Sequence, residues 1–315
     1  MQIKILITGA NGDLACSIAK IIKNEFPNSR ILGTDINKNG IGEEIFDHIY
    51  KTTYPHQKKY GSFIKKISKQ IDLIIPTTET EINFFTKNIN KFKTKILVNK
   101  KNIINLFNEK QKTQIFLKKN FTKLSLDYCF FLKDFNKNKK IVKFPYFLKK
   151  NIGSGNQNYQ IIDSAKKIKN FKILNGKDWV IEQYLNKNYP EYTSAIIRLE
   201  KFEKICIFRR QLHKLGHTMY AETFKKIKIE KQLLEIAKKI NLNGCINIQF
   251  KIINKKIKIF DINPRLSSSV RMRDIIGFHD CMWWIKNTLN INFSKKIKIL
   301  KNKKIIKSFD EKIIN

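Results

Sequence analysis

Gly244-Cys-Ile-Asn-Ile-Gln249-Phe250 and Ile259-Phe-Asp261-Ile-Asn263-Pro264-Arg265 decide how the chain is read. The apolar runs 244–253 and 256–262 are separated only by the polar pair Asn254-Lys255, a hairpin signal. Side chains alternate along a strand, so Asp261, Asn263 and Arg265 share one face, and the hairpin sets Gln249 roughly opposite Asp261. Pro264 cannot donate to a ladder and ends the strand. The product is a cluster of oxygen ligands beside a guanidinium. Magnesium takes hard oxygens, keeps several waters and completes its shell with nucleotide phosphates. Arg265 is then placed to stabilise charge on a transferring phosphoryl group. The plain alternative is a buried polar turn capped by the same three side chains.

Upstream, the run Phe144-Pro-Tyr-Phe-Leu-Lys149-Lys150-Asn-Ile-Gly153-Ser154-Gly155-Asn-Gln-Asn158 delivers a lysine from a strand over 141–149 into a small-residue loop, followed by a helical stretch near 161–170. Such a loop folds N–H groups around phosphate oxygens while the lysine supplies a point charge. It is not a Walker A motif, because no Gly-Lys-Ser/Thr closes it. Trp179-Val-Ile-Glu182-Gln183-Tyr184-Leu185 reads as a strand ending in a hinge whose backbone can meet an adenine edge, and Glu191 as a carboxylate that can hold ribose hydroxyls or as an ordinary loop acid. Arg209-Arg210 on a strand, Lys214-Leu-Gly216-His217, and Arg271 and Arg273 beyond Ser267-Ser268-Ser269 are further anion-binding candidates. His213, His217 and His279 have no metal spacing, and Trp283-Trp284 reads as core.

The N-terminal run Ile7-Thr8-Gly9-Ala10-Asn11-Gly12-Asp13-Leu14-Ala15 follows a strand and opens a helix, with Asp35 where a dinucleotide fold puts its ribose acid. Strands over 3–7, 30–35, 71–75 and 95–98, alternating with helical periodicity, predict a parallel, doubly wound sheet. This motif alone would suit an NAD-dependent nucleotide-sugar epimerase or dehydrogenase. Of its two Tyr-x-x-x-Lys matches, Tyr54–Lys58 contains Pro55 and lies too early, and Tyr146–Lys150 runs into the glycine loop. The glycines are read instead as a tight turn of a Rossmann-like fold.

With 315 residues and 42% hydrophobic content, the chain can build two or three domains. The net charge of +37 comes nearly all from lysine spread over every segment, with a denser stretch over 295–307. Isoleucine and asparagine are abundant too, the signature of an AT-rich genome. A solvated lysine surface is therefore preferred to a nucleic-acid footprint, the third functional alternative. Of the seven arginines, five fall in two short stretches, 209–210 and 265–273, where planar bidentate anion binding would matter. Five scattered cysteines, no apolar run of bilayer length and no secretory leader predict a reduced, cytoplasmic protein with no membrane partner.

These motifs, in this order, resemble the ATP-grasp superfamily, especially the branch like the large chain of carbamoyl phosphate synthetase. Ile71-Asp-Leu-Ile-Ile-Pro76-Thr-Thr-Glu79 is similar to the strand end of the preceding Rossmann-like domain, and Glu109-Lys110-x-x-Thr113 to the segment whose lysine reaches the nucleotide. The resemblance implies an α/β Rossmann-like pre-ATP-grasp domain over 1–107 and an α+β ATP-grasp fold, with a small subdomain over 108–185, a catalytic subdomain over 186–293 and a basic tail over 294–315. A lid would span about 113–180. It implies ATP as cofactor, bound by Lys110, Lys149, Gly153, Ser154, Gly155, the hinge Glu182, Gln183, Tyr184 and Leu185, and Glu191. It implies Mg2+ (or Mn2+) on Gln249, Asp261 and Asn263, with Arg265 assisting transfer; Arg209 and Arg210, from their own pattern, are the further catalytic candidates. The implied reaction makes an acyl phosphate from a carboxylate and passes it to an amine or similar nucleophile, the substrate being an amino acid or amino sugar. A homodimer is the assembly expected. Asp261 departs from the family, which more often has glutamate there.

Overall fold

A computed structural model of the chain describes residues 2–153, 159–168, 176–200, 202–213, 216–295, 298–308 and 311–314. Strands β1 (Lys4–Thr8), β2 (Arg30–Asp35), β3 (His48–Lys51), β4 (Leu73–Ile75) and β5 (Lys95–Ile96) form a parallel sheet in the order β3-β2-β1-β4-β5. β1, flanked on both sides, is a continuous apolar run, as a strand covered on both faces must be. Leu6 and Ile74 pack with Tyr60 and Phe85 on one face. Ile5 and Ile7 pack on the other face in a core that extends to Trp283 and Trp284 of the helix Asp280–Leu289, so the first and last parts of the chain share one interior.

A second, antiparallel sheet holds β6 (Cys129–Phe131), β7 (Tyr146–Lys150), β8 (Tyr159–Ile162) and β9 (Trp179–Gln183) in the order β6-β9-β7-β8. Two expectations change here. The strand foreseen over 141–149 starts at Tyr146, after a 3-10 turn over Lys139–Ile141. The helix foreseen over 161–170 is preceded by β8, which pairs with β7 through Ile162, and its described part is Ala165–Ile168, residues 169 and 170 lying outside the described residues. The helix Lys110–Asn120, foreseen as part of the small subdomain, packs instead on the large sheet. Leu117 joins that sheet's core, and the side chain of Gln114 donates to Ile259 O at 2.9 Å while accepting from Leu126 N at 3.0 Å.

The large sheet is antiparallel, in the order β14-β13-β10-β11-β12-β15-β16: β10 (Glu191–Leu199), β11 (Phe202–Leu212), β12 (Thr218–Phe224), β13 (Gly244–Ile253), β14 (Lys256–Asn263), β15 (Lys304–Lys307) and β16 (Glu311–Ile314). Ile196, Ile246 and Ile248 face the helix Ile227–Lys239, and Ala195, Ile197 and Cys245 face the core that the helix Asp280–Leu289 shares with the N-terminal unit. The segment expected to be a basic tail is part of this sheet. β15 pairs with β12, Ile305 is buried in the core, and Lys307 is ion-paired to Asp13 at the start of the helix Asp13–Glu25.

The β13–β14 hairpin turns on Asn254 and Lys255, whose φ of 48° and 65° are the left-handed values of a two-residue turn that matches strand twist. Its register brings Gln249 opposite Asp261 and Asn247 opposite Asn263. A bulge makes this possible. Phe250 pairs with Ile259 and Gln249 with Asp261, leaving Phe260 as the extra residue. Ile257 and Ile259 therefore face the helix-side core, while beyond the bulge Asp261 and Asn263 turn to the other face.

Candidate functional site

All three sheets border one cleft of about 690 Å³. Its floor is the far end of the hairpin, with Asn247, Gln249, Asp261, Asn263 and Arg265. One wall carries Lys149, Glu182, Gln183, Tyr184 and Leu185 of the four-stranded sheet, joined by Lys110 and Gly153. The opposite side is lined by Gly9, Gly12, Asp13, Thr77 and Thr78 of the N-terminal unit. The N-terminal glycines, read as a turn alone, thus also line the cavity.

Lys149 and Glu182 lie on the neighbouring antiparallel strands β7 and β9, and Lys149 Nζ is 2.5 Å from Glu182 Oε2. Burial alone would lower the lysine's pKa; Glu182 and then Asp261 outweigh it, and the net direction is upward. Lys149 is therefore held as a cation between the hinge strand and the hairpin. Glu182 is buried, with its second oxygen facing Cys129 Sγ at 3.6 Å, so its carboxylate serves the lysine as well as the hinge. Lys110 comes from another direction. It begins a helix, and its Nζ donates to Gly153 O at 2.7 Å. Asn151 fixes that junction by accepting from Gln111 N at 3.0 Å. Ser154 and Gly155 of the expected loop lie outside the described residues, as does Lys214.

The donor set on the hairpin is preorganised. Asn263 Nδ2 donates to Asp261 Oδ2 at 2.8 Å, which turns the asparagine carbonyl oxygen away from the carboxylate. Among the described residues no three His, Cys, Asp or Glu side chains cluster as a metal site. The hairpin instead offers two amide oxygens and one carboxylate, hard donors that fit a magnesium ion sharing its shell with water and phosphate. From behind, Asn99 Nδ2 donates to Cys245 O and Pro264 O at 2.7 and 2.8 Å, tying the hairpin to the N-terminal unit.

The arginines divide in ways their clustering hides. Arg209 and Arg210 are adjacent on β11 and point to opposite faces. Arg210 lines the cleft, whereas Arg209 is exposed and lies outside it. Arg210 is also committed: Nε and Nη2 bind Glu191 Oε1 at 2.9 and 2.5 Å, so it orients the expected ribose acid rather than waiting for a phosphoryl group. Lys251 flanks the same acid across β10–β13, and its Nζ donates to Leu185 O and Asn186 O at 3.3 and 2.9 Å. Burial lowers its pKa, opposed by Glu191. Sequence reading missed it because one lysine among so many carries no signal.

Arg271 and Arg273 do not reach the cleft. Arg273 is only 1% exposed; its Nε and Nη2 bind Asp280 Oδ2 at 3.0 and 2.8 Å, and Nη1 reaches Ser267 Oγ and Ser269 Oγ at 2.8 Å each. It pins the loop whose Ser267 and Ser268 line the cavity. Arg271 pairs with Asp274 at 3.3 Å. Arg265 lines the cleft with Nε buried and unpartnered. His217, which has no metal spacing, stacks on His213 at 4.7 Å and also lines the cavity.

A dinucleotide site is not built. Asp35 spends its carboxylate on Asn11 N and Asn37 N, both at 3.0 Å, and Asn11 Oδ1 accepts from Gly42 N at 3.1 Å, so residues 37–42 are drawn over the glycine loop. Tyr146 is buried in a strand rather than exposed on a helix.

Residues 175–307 match a family model described as ATP-grasp in the biosynthetic pathway with Ter operon, and residues 5–98 match one described as PylC-like, N-terminal domain. Over residues 175–307 the chain carries an ATP-grasp domain. Among solved structures, this chain superposes on N5-carboxyaminoimidazole synthetase from Staphylococcus aureus complexed with ADP, at a TM-score of 0.76 and 16% identity over 97% of this chain and 83% of that one. The biotin carboxylase domain dimer of Hydrogenobacter thermophilus 2-oxoglutarate carboxylase, in complex with MgADP, ADP and bicarbonate, superposes at a TM-score of 0.76 and 14% identity over 97% of this chain and 74% of that one. Identities this low carry the fold alone. In sequence, the chain is 31% identical over 129 residues to the uncharacterized protein MG011 homolog of Mycoplasma pneumoniae, a match spanning 41% of this chain and 42% of that relative.

Proposed function

We propose that this ATP-grasp chain is an ATP-dependent ligase that activates a carboxylate as an acyl phosphate and transfers the acyl group to an amine, releasing ADP and phosphate. One observation carries the reading. The bulged hairpin turns Gln249, Asp261 and Asn263 into the same cleft that Lys149 enters from the opposite sheet.

ATP lies along the wall from Leu185 to Lys149. The hinge backbone meets the adenine, Glu191 held by Arg210 meets the ribose, and Lys110 and Lys149 meet the phosphates. Gln249, Asp261 and Asn263 would hold a magnesium ion, which supplies neutralisation of phosphate charge when bound. The substrate carboxylate oxygen attacks the γ-phosphorus and the bond to the β-phosphate bridging oxygen breaks, giving ADP and the acyl phosphate. The amine nitrogen then attacks the acyl carbon and phosphate leaves with the bonding pair. Arg265 is the guanidinium placed for the transferring group. Buried cations in a water-poor cleft are worth more than they would be in bulk water, and the charged state of Lys149 supports that role.

Carboxylate and amine share the remaining space between Arg265 and the Gly9–Gly12 wall, an amino acid or amino sugar being the class expected. A homodimer, by likeness to the biotin carboxylase domain dimer, is the proposed assembly. A cytoplasmic setting fits the five free cysteines. The test is an ADP-release screen of carboxylates paired with amines. ADP formation that requires both partners and disappears in Asp261→Ala supports the reading. ADP formation unaffected by Asp261→Ala, or no turnover with any pair, counts against it.

A further inference from the structure

The floor of the cleft contains a side chain that neither the motifs nor the foregoing function uses. Asn247 lies on β13 two residues before Gln249, on the same face, and pairs in register with Asn263. It is 1% exposed and yet lines the cavity. Its Oδ1 accepts from Thr193 Oγ1 on β10 at 2.7 Å, which holds the side chain in one rotamer. The other end of the amide, Nδ2, is buried and has no partner among the described residues.

An unsatisfied buried donor is costly, and native proteins keep few of them. A second one stands close in the topology. Arg265, two residues beyond the Asn263 that faces Asn247, has Nε buried and without a partner among the described residues. Two buried donors without partners among the described residues stand beside Asp261 and Asn263 in the lining of one cleft, an arrangement that fits an anionic oxygen next to a bound cation. Along the sheet Glu191 faces Lys251, Thr193 faces Gln249 and Ala195 faces Asn247, so this corner lies at the end of the floor away from Glu191 and the hinge.

We propose that Asn247 is a further binding residue, donating from Nδ2 to an oxygen of the terminal phosphoryl group beside Arg265. Thr193 acts through it as a positioning residue. The inference rests on the ligase reading and adds to it a contact that ADP cannot make. A neutral amide here adds selectivity for the triphosphate without adding charge, and it is in place before the phosphoryl group moves.

The experiment compares the affinities of the full chain for ADP and for the non-hydrolysable triphosphate AMPPNP, each with Mg2+, by calorimetry. Asn247→Leu removes the donor at similar volume. Asn247→Asp keeps the shape but replaces the donor with a charged acceptor, and serves if the leucine variant does not fold. The expected result is AMPPNP binding weakened about tenfold or more, with ADP binding changed less than about twofold, the loss of one hydrogen bond to a charged group. Thr193→Val is expected to give a smaller loss of the same kind. Equal effects on both nucleotides, or none, in the Asp variant overturn the role of Asn247 while leaving the ligase reading intact. A wild-type chain that binds neither nucleotide removes both.

Discussion

Lys149 Nζ and Glu182 Oε2 stand 2.5 Å apart across two neighbouring strands, with the carboxylate almost wholly buried. A cation removed from water needs a fixed partner, and here the partner lies on the hinge strand itself. Replacing Glu182 by Gln leaves Lys149 buried and unmatched on that side. The expected cost is about 3 kcal/mol of stability in urea unfolding, the scale for breaking a buried ion pair. ADP affinity is expected to fall with it. A loss below about 0.5 kcal/mol would mean that the pair behaves as a surface bridge.

Asp261 is the one carboxylate of the hairpin donor set, and its Oδ2 accepts from Asn263 Nδ2 within the site. Asp261→Asn should therefore fold normally while losing the negative charge that a divalent cation needs. Mn2+ binding followed by electron paramagnetic resonance in the presence of ADP is expected to weaken at least about tenfold, on the order of one charge-assisted contact. Unchanged Mn2+ binding would remove the hairpin from the metal site.

The arginine assignments separate cleanly by experiment. Arg273→Gln strands Asp280, whose pKa burial pushes up against the opposing pull of Arg273, and frees Ser267 and Ser269. A destabilisation of about 3–5 kcal/mol is expected, visible as a large drop in Tm. Arg209→Gln is expected to leave both Tm and ADP affinity almost unchanged. A strong effect on nucleotide binding at Arg209 would contradict its placement outside the cleft.

His279 Nδ1 lies 2.6 Å from Asp274 Oδ1, and this hydrogen bond raises the histidine pKa above its usual 6.5, against a smaller lowering by burial. A group whose folded pKa is raised contributes stability that is fully present below the unfolded value and is lost as pH rises through the folded one. His279→Gln should thus lower stability at pH 5.5 and have little effect at pH 9. The side chain is nearly half exposed, so the difference is held to under about 1 kcal/mol by solvent screening. A larger loss at the alkaline end would reverse the assignment.

How much of this was legible follows from what local patterns encode. The hairpin was legible, because alternation and a two-residue polar turn leave few registers. The bulge was not. Phe260 looks like any other apolar strand residue, yet it sets Asp261 rather than Phe260 against Gln249. The sequence also marked Arg210, but clustering gave Arg209 equal standing, although adjacency on a strand already excludes a shared face. Arg273 was misread because its partner Asp280 lies beyond a helix, where spacing gives no hint of contact. Lysine density concealed two features in different ways. It hid Lys251, a cation inside the cleft, and it made the strand Lys304–Lys307 look like a solvated tail although Ile305 is core. Asn247 gave no signal because its chemistry lies in what it lacks, a partner for Nδ2.

Titration of Mg·ADP and of NADH into the purified chain, followed by calorimetry, probes the cleft most directly. One Mg·ADP per chain is expected to bind, weakening at least about tenfold in Lys149→Met, as loss of a buried phosphate contact would require, with no NADH binding. Tight NADH binding, or Mg·ADP binding indifferent to Lys149, would contradict a nucleotide held between that lysine and the hairpin.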